Sequence, residues 1–236
     1  KKHIKEWGVT IDLRNEIDLL KKTMPIVELL RKPSMRDRHW LEIKRTVNDQ
    51  FDENGQYFTL KKIKSLQFHK HYDKIYELWE ISEEQYKIEA AFNAIKQRWS
   101  VDEIEIVELK SIEEKIYVIN RKSSDKINEK LEEDLLQLTT MKSNIHAEDF
   151  VPDIEVWERD LNMMIETLDI IMIVQRKFTY FNSIFLNISE ELSQLPGDFN
   201  SFTFVKNQFK STLKHMHKSP NSKECLTVEH IKEKFK

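Results

Sequence analysis

The chain has 236 residues, 33% of them charged, with three glycines and a formal net charge of −3 at pH 7. This balance argues against a nucleic-acid-binding protein, which would show a basic excess. The most apolar stretch, residues 163–174, contains Glu166 and Asp169 and is shorter than the roughly 20 apolar residues of a membrane-spanning helix. The single cysteine, Cys225, cannot form an internal disulfide, which favours a reducing compartment.

High charge with scarce glycine is typical of long helices with wide solvated faces. Residues 11–30 have apolar side chains at helical spacing, and Pro25 is expected to start a fresh turn. The next predicted helix has Pro33 in its first turn and ends near Val47. The apolar residues of these two segments are Leu13, Ile17, Leu20 and Met24, then Met35, Trp40, Ile43 and Val47.

A polar loop over 48–57 separates these segments from a short helix at 60–66, for which Thr59 is a good N-cap. A longer helix is predicted over 70–99. Its apolar positions step by three and four, with a shift of phase before Ile88: Tyr72, Ile75, Trp79, Ser82 and Tyr86, then Ile88, Phe92, Ile95 and Trp99.

The period then changes, because residues 104–109 and 116–119 are β-branched and roughly alternating, which predicts a β-hairpin within 104–119. Ser124 is the expected N-cap of a helix with Ile127, Leu131, Leu135 and Leu138. The clearest pattern follows in a helix predicted over 152–185, roughly 50 Å long at about 1.5 Å per residue. Its apolar face steps 3-4-3-4-3-4-3 through Ile154, Trp157, Leu161, Met164, Leu168, Ile171, Gln175 and Phe178.

A break at 194–197 precedes a predicted helix over 198–217 with Phe202, Val205, Phe209, Leu213 and Met216, and a last helix is predicted over 228–235. Short connections between helices favour antiparallel neighbours. The predicted fold is therefore mainly α, built as elongated stacked helical bundles with one hairpin near 104–119. Possible sub-bundles cover 1–120 and 121–236, and the chain is expected to be truncated at both ends.

The search for chemistry predicts no catalytic, cofactor-binding or metal-binding residues. A phosphate-binding glycine loop requires closely spaced glycines, and Gly8, Gly55 and Gly197 lie far apart. The histidines of the pairs His69/His71 and His215/His217 are two residues apart, so on a helix they point in nearly opposite directions and are expected to be exposed polar side chains.

The remaining reactive residue types also have ordinary explanations. Cys225 is predicted to be a small buried apolar residue, and the segment 146–149 a solvated loop. The carboxylates at Glu83-Glu84 and at 132–134 are expected on solvated helix faces. The five tryptophans are expected mostly as core anchors: Trp7, Trp40, Trp79, Trp99 and Trp157.

Two sequence blocks resemble the linker region of dynein heavy chains, the microtubule motors. The first covers residues 30–43 and contains Arg31-Lys32-Pro33, Met35 and Arg38-His39-Trp40. The second covers 174–185 and contains Gln175-Arg176-Lys177. Further similar segments lie at 24–30, 58–60, 138–143 and 194–209. The chain departs from the family pattern at Phe178, where a tryptophan is expected, and at Asn182, where a glutamate is common.

This resemblance implies a mechanical linker that transmits ATP-driven changes of an AAA+ ring, in the same heavy chain, into the power stroke. The segment itself would then be no enzyme and hold no cofactor, while the parent motor would use ATP and Mg²⁺. Implied partners are that ring, microtubules and dynein intermediate and light chains, without nucleic acid or membrane. The implied location is the cytoplasm and cytoskeleton, including an axoneme. The alternative is a passive helical scaffold or tail rod for protein–protein interaction.

Overall fold

A computed structural model of the chain describes residues 7–109, 115–187, 196–228 and 231, with side chains described outside 185–187 and 196–200. The structure is 78% helical, which confirms the predicted mainly α fold. The chain divides into two compact units, residues 1–90 and 91–236. The assignment of the whole chain to a single linker-type region with sub-bundles 1–120 and 121–236 stays a prediction.

The first unit contains helices α1 (Gly8–Leu30), α2 (Asp37–Val47) and α3 (Leu60–Ser65), a 3₁₀ turn at Phe68–His71, and the first part of α4 (Tyr72–Val101). These elements share one hydrophobic core, made of Ile26, Leu30, Trp40, Ile43, Ile63, Leu66, Phe68, Ile75 and Leu78. Trp40 meets Phe51 and Phe58 edge-on, so the loop before α3 also contributes aromatic rings to this core.

Two predictions about proline in this unit are wrong. Pro25 lies inside α1 and does not start a new turn. The helix continues past it because Ile26 and Leu30 are buried beyond the proline, and tertiary packing can outweigh one missing N–H bond. Pro33 lies outside α2, which begins only at Asp37 after an extended Arg36. Thr59 is confirmed as the N-cap of α3, since its side chain accepts a bond from Lys62 N.

The buried face of α4 differs in part from the predicted one. Tyr72 and Tyr86 are exposed, and Trp79 is half-buried. The buried residues are Ile75, Leu78, Ser82, Gln85, Ile88, Phe92, Ile95 and Trp99. The prediction followed the aromatic residues, but tyrosine tolerates water at its polar end. Ser82 is buried as predicted, whereas the buried Gln85, bonded to His39, was not predicted.

The second unit contains the rest of α4 and the predicted hairpin, which is confirmed. Strands β1 (Ile106–Leu109) and β2 (Ile116–Ile119) pair antiparallel, with Ile106 opposite Ile119. Residues 110–114 lie outside the described residues. The other elements are α5 (Arg121–Lys142), a 3₁₀ turn at Glu148–Phe150, α6 (Val151–Asn187), α7 (Pro196–Lys218) and α8 (Ser222–Leu226).

Helix ends in this unit differ from the predictions in two places. Asn120 is the N-cap of α5, with its side chain accepting from Lys122 N, and the expected cap Ser124 is buried one turn further on. Helix α7 already includes Pro196 and Gly197, because proline fits the first turn of a helix. Of the predicted last helix, Val228 is not helical, Ile231 is helical, and the other residues lie outside the described part of the chain.

The predicted apolar face of α6 is confirmed. Its buried members are Ile154, Leu161, Met164, Leu168, Ile171 and Phe178, while Trp157 and Gln175 are half-buried. Arg159, Glu166 and Asp169 lie off this line and are exposed, and Glu158 is half-buried. Phe178 packs on Phe209 of α7 with ring centroids 4.8 Å apart. The aromatic ring at position 178 thus joins α6 to α7.

Candidate functional site: polar joints between helices

The first joint connects the start of α2 to α4 within the first unit. Ser34 is buried, and its hydroxyl donates to Glu83 Oε1 at 2.7 Å and accepts from Ser82 Oγ at 3.1 Å. Arg36 donates from Nε and Nη2 to Glu89 Oε2 at 3.1 and 3.0 Å. Both bonds are partly exposed. The first sequence block therefore attaches the loop before α2 to successive turns of α4.

His39 occupies the centre of this joint and is buried. Its Nδ1 accepts the backbone N–H of Arg36 at 3.0 Å, so a neutral ring carries its proton on Nε2. Nε2 lies 3.0 Å from Gln85 Oε1 and donates to it, and Arg38 Nε donates to the same oxygen at 2.6 Å. The bond from the Arg36 backbone also caps the first turn of α2.

A second joint lies at the end of α4 in the second unit, where the Asp134 carboxylate of α5 is fully buried. Its Oδ1 accepts from Arg98 Nη1 at 2.6 Å and its Oδ2 from Trp99 Nε1 at 2.8 Å. Burial raises the pKa of Asp134, and the bond from Trp99 and the charge of Arg98 oppose that rise. The predicted solvated position is thus wrong for Asp134, because two donors on α4 draw the carboxylate inward.

The last residues of α4 also connect to the segment between α7 and α8. Asp102 Oδ2 accepts from the hydroxyl of the buried Ser222 at 2.9 Å, and Asp102 Oδ1 is paired with Lys130 of α5. Ile104 N donates to Pro220 O at 2.8 Å. Asn221 Nδ2 donates to the carbonyl of Ser100 at 3.1 Å. The end of α4 and the residues just after it therefore contact α5, α8 and the segment between α7 and α8.

The third joint ties the hairpin to α6 through one side chain. Gln175 Oε1 accepts from Ile119 N at 2.8 Å, and Gln175 Nε2 donates to Ile119 O at 2.9 Å. The amide therefore bonds both backbone groups that β2 turns away from β1, as a neighbouring strand would. Gln175 belongs to the second sequence block. Sequence periodicity put it on the apolar face of α6 but gave no sign of its strand partner.

A groove of about 740 Å³ lies next to this joint between α5 and α6. Its walls mix both charges: Arg121, Asp125, Asp169 and Arg176. Asn128 Oδ1 is buried there without a hydrogen-bond partner among the described residues. The mixed lining could hold polar groups of a partner, but it does not bring together a nucleophile with a base or a set of metal ligands.

The other residues considered from the sequence have structural roles. Cys225 is buried, donates from Sγ to Ser219 O at 2.9 Å, and has its pKa raised by burial to about 11. It is thus a buried small residue, as predicted, because a reactive cysteine needs a lowered pKa. Glu83 is half-buried in the first joint, in contrast to its predicted solvated position.

The predictions for the histidines and tryptophans are confirmed for some of these residues and wrong for others. His215 and His217 are exposed, as predicted, with His217 stacked on Tyr117 at 4.3 Å, but His69 is half-buried and its pKa is lowered by burial and by Lys70. Trp40 and Trp99 are core anchors and Trp7 is 64% exposed, contrary to the prediction for that residue. Trp79 and Trp157 are half-buried.

Within the part of the chain that the structure describes, no group of three or more His, Cys, Asp or Glu side chains could hold a metal ion. None of the described helices is long and apolar enough to cross a bilayer. Several of the buried polar side chains, among them Ser34, His39 and Asp134, join one element to another.

These features define a mainly helical module in which buried polar side chains join helix ends to neighbouring elements. The chain belongs to the dynein heavy chain family, since residues 1–236 match the family described as dynein heavy chain, N-terminal region 2.

Individual relatives agree with this membership. The chain is 31% identical over 98% of its length to the Dynein-1-beta heavy chain of the flagellar inner arm I1 complex of Chlamydomonas reinhardtii. It is 29% identical over 92% of its length to human Dynein axonemal heavy chain 2, and 26% identical over 88% to the Dynein alpha chain of the flagellar outer arm of Chlamydomonas reinhardtii. The chain spans only 4–5% of the length of these relatives.

Proposed function

We propose that this chain is a mechanical linker element of a dynein motor, transmitting ATP-driven changes of an AAA+ ring into movement. The observation that carries the proposal is the position of the two linker-like blocks at joints between elements. The first block attaches α2 to α4 through Ser34, Arg36 and His39, and the second attaches α6 to the hairpin through Gln175. A lever needs such joints, because helices that slide past one another transmit no force.

The same proposal assigns ATP hydrolysis and the Mg²⁺ cofactor to other parts of the parent heavy chain. The named relatives are flagellar and axonemal dyneins, which supports a location in the cytoskeleton of a cilium or flagellum. The partners would be the AAA+ ring of the same heavy chain, microtubules, and the intermediate and light chains of the motor complex.

The test is to introduce Leu168→Ala into the full-length heavy chain and measure ATPase activity and microtubule gliding together. Leu168 is fully buried on α6, so its truncation softens the packing of that helix. We expect slower gliding with ATP turnover largely retained, because the change lies in the transmitting element. Leu136→Ala on α5 is the matched control, since Leu136 is 69% exposed and its truncation leaves the packing intact.

A passive scaffold would give a different result. If Leu168→Ala leaves gliding as fast as in Leu136→Ala, the packing of α6 transmits no force and the lever proposal fails. If Leu168→Ala abolishes ATP turnover while the variant remains as stable as wild type, α6 is a regulatory contact of the ATPase.

A further inference from the structure

Helix α1 presents an apolar row that the described structure leaves partly exposed. Leu13, Ile17, Leu20 and Met24 follow one another at steps of four, three and four, the spacing of a coiled-coil seam. Leu13, Ile17 and Met24 are 60%, 43% and 44% exposed. We call these four residues the α1 seam.

The α1 seam is distinct from the face by which α1 joins its own unit. The buried residues of this helix are Thr23, Ile26 and Leu30. Residues 13, 17, 20 and 24 lie about 100° or more around the helix from Ile26, at roughly 100° per residue. A second helix could therefore lie along the α1 seam without displacing the core of the first unit.

On the side away from that core, the positions directly flanking the α1 seam are basic, with the exposed Asp18 behind them. Arg14 and Lys21 follow Leu13 and Leu20, are exposed, and form no ion pair with a residue of the described ranges. On the other edge, Glu16 is already paired with Lys64 of α3. A helix on the α1 seam would meet two unpaired positive charges seven residues apart, which favours carboxylates at matching spacing.

The size of the α1 seam decides where that helix comes from. Four partly exposed side chains cover much less than the ~800 Å² that each partner buries in a stable complex between separate proteins. A helix of the same polypeptide needs no such area, because its effective concentration is in the millimolar range. The relatives extend far beyond the aligned stretch, which is 5% of the length of the first of them.

A second copy of the chain fits this surface poorly. In a symmetric antiparallel pair, Arg14 and Lys21 of one copy would face Lys21 and Arg14 of the other, and like charges repel. In a parallel pair, the facing edge would be that of Glu16 and Thr23, where Thr23 is fully buried and Glu16 is engaged by Lys64.

We propose that the α1 seam is the docking surface for an amphipathic helix with an acidic edge, supplied by the same dynein heavy chain from outside residues 1–236. The helix would place its apolar residues on Leu13, Ile17, Leu20 and Met24 and its carboxylates opposite Arg14 and Lys21. The proposal rests on membership of the dynein heavy chain family and not on the lever movement, so the gliding assay above does not test it.

The first experiment uses a carbodiimide on the full-length heavy chain, because this reagent joins a lysine amine to a carboxylate in direct contact. We expect mass spectrometry to find Lys21 joined to an aspartate or glutamate of the same heavy chain outside residues 1–236. Lys21→Gln should remove that product. Lys22→Gln is the matched control and should retain it, since Lys22 lies near His69 on another side of the helix.

A mixture of isotopically labelled and unlabelled heavy chains separates the possible sources of the helix. Products that join one labelled and one unlabelled chain would show a second copy on the α1 seam, and products with a separate subunit would show an accessory protein. Either result overturns the proposal, as does a Lys21 product confined to residues 1–236.

The second experiment compares Leu13→Glu with Leu136→Glu in the full-length chain by hydrogen exchange. Both leucines are more than half exposed, so neither change disrupts the core of its unit. Leu13→Glu should accelerate exchange about ten-fold or more in α1 and in one segment outside residues 1–236, because undocking opens both. Leu136→Glu should accelerate neither. Equal exchange in the two variants overturns the proposal.

Discussion

Helices α1 and α6 have nearly the same sequence pattern and opposite environments. Both have apolar residues at steps of three and four, and both fit the rule that predicts an amphipathic helix. In α6, Leu161, Met164 and Leu168 are fully buried. In α1, Leu13 is 60% exposed. Periodicity therefore predicts that a helix forms and which side is apolar, but it does not tell whether that side is covered by the same stretch of chain.

The difference has a physical origin in what surrounds each helix. The apolar face of α6 meets side chains of other elements of its unit along much of its length, including Phe92 against Trp157 and Phe209 against Phe178. In the first half of α1 most side chains are exposed, and Glu16 forms an ion pair with Lys64 of α3. Only its last turns contribute to a core, through Ile26 and Leu30.

The largest expected effect tests this contrast directly. Leu161→Ala or Leu168→Ala should lower the free energy of unfolding of the 236-residue polypeptide by about 2–5 kcal/mol, because a buried leucine leaves a cavity. Leu13→Ala should change it by less than about 0.5 kcal/mol, since surface substitutions remove few contacts. Urea unfolding followed by circular dichroism measures both.

Equal losses in the free energy of unfolding for the α6 and α1 variants would contradict this contrast. A loss at Leu13 as large as that at Leu168 would mean that the α1 seam is packed within the 236 residues. A negligible loss at Leu168 would mean that α6 is not held by its apolar face.

A smaller effect is expected at Asp134, where a polar group is buried as deeply as the leucines of α6. Asp134→Ala should lower the free energy of unfolding by about 1–3 kcal/mol, because it leaves the buried Trp99 Nε1 without its acceptor. Arg98 retains access to water, which limits the loss. Glu132→Ala on the same helix is the matched control, since Glu132 is exposed and its loss should cost little.

The contribution of Asp134 to stability should change with pH in a defined direction. Its folded pKa is raised above the ordinary value, so the folded state holds the proton more tightly than the unfolded chain. The resulting stabilisation is complete below the unfolded pKa and is lost as pH rises through the folded pKa. In Asp134→Asn this loss should be absent from urea unfolding measured across that range. A wild type and an Asn variant with parallel pH profiles would contradict the raised pKa.

Most elements of the fold could be predicted because their signals are local. The hairpin follows from β-branched alternation at 106–109 and 116–119, and α6 from a long unbroken apolar face. The errors occur where a distant contact outweighs a local preference. Pro25 lies within α1 because Ile26 and Leu30 are buried beyond it, and Asn120 caps α5 one turn before the more obvious Ser124.

The joints were less predictable, because each depends on partners far apart in sequence. Asp134 follows two exposed glutamates and looks like a continuation of a solvated face, yet its partners Arg98 and Trp99 are on another helix. The two dynein-like blocks, residues 30–43 and 174–185, were identified from the sequence by their resemblance to the family. They did not show that Ser34 contacts Glu83 or that Gln175 bonds Ile119.

A further prediction extends the comparison to a polar member of the α6 face. Gln175→Ala should lower the free energy of unfolding by about 1–2 kcal/mol, because the N–H and C=O of Ile119 lose their partners at a partly buried position. Hydrogen exchange at the Ile119 amide should quicken, while Gln97→Ala, at an exposed position of α4, should leave it unchanged. Unchanged exchange in Gln175→Ala would show that the amide does not hold the strand.

The smallest effect concerns the reactivity of Cys225, which tests whether the α7–α8 end is as closely packed as α6. Alkylation requires the thiolate, and burial raises the pKa of this thiol to about 11. At pH 8, iodoacetamide should therefore label the folded 236-residue polypeptide about 100-fold or more slowly than the same polypeptide in urea, where the pKa is near 8.5. The raised pKa adds stability that is complete below the unfolded pKa near 8.5 and is lost as pH rises from there through about 11. Ser222→Ala should speed labelling if the bond from Ser222 to Asp102 holds α8 in place. Thr227→Ala removes only a bond within the end of α8 and should not. Labelling of the wild type as fast as in urea would mean that this end of the second unit opens readily, unlike the buried face of α6.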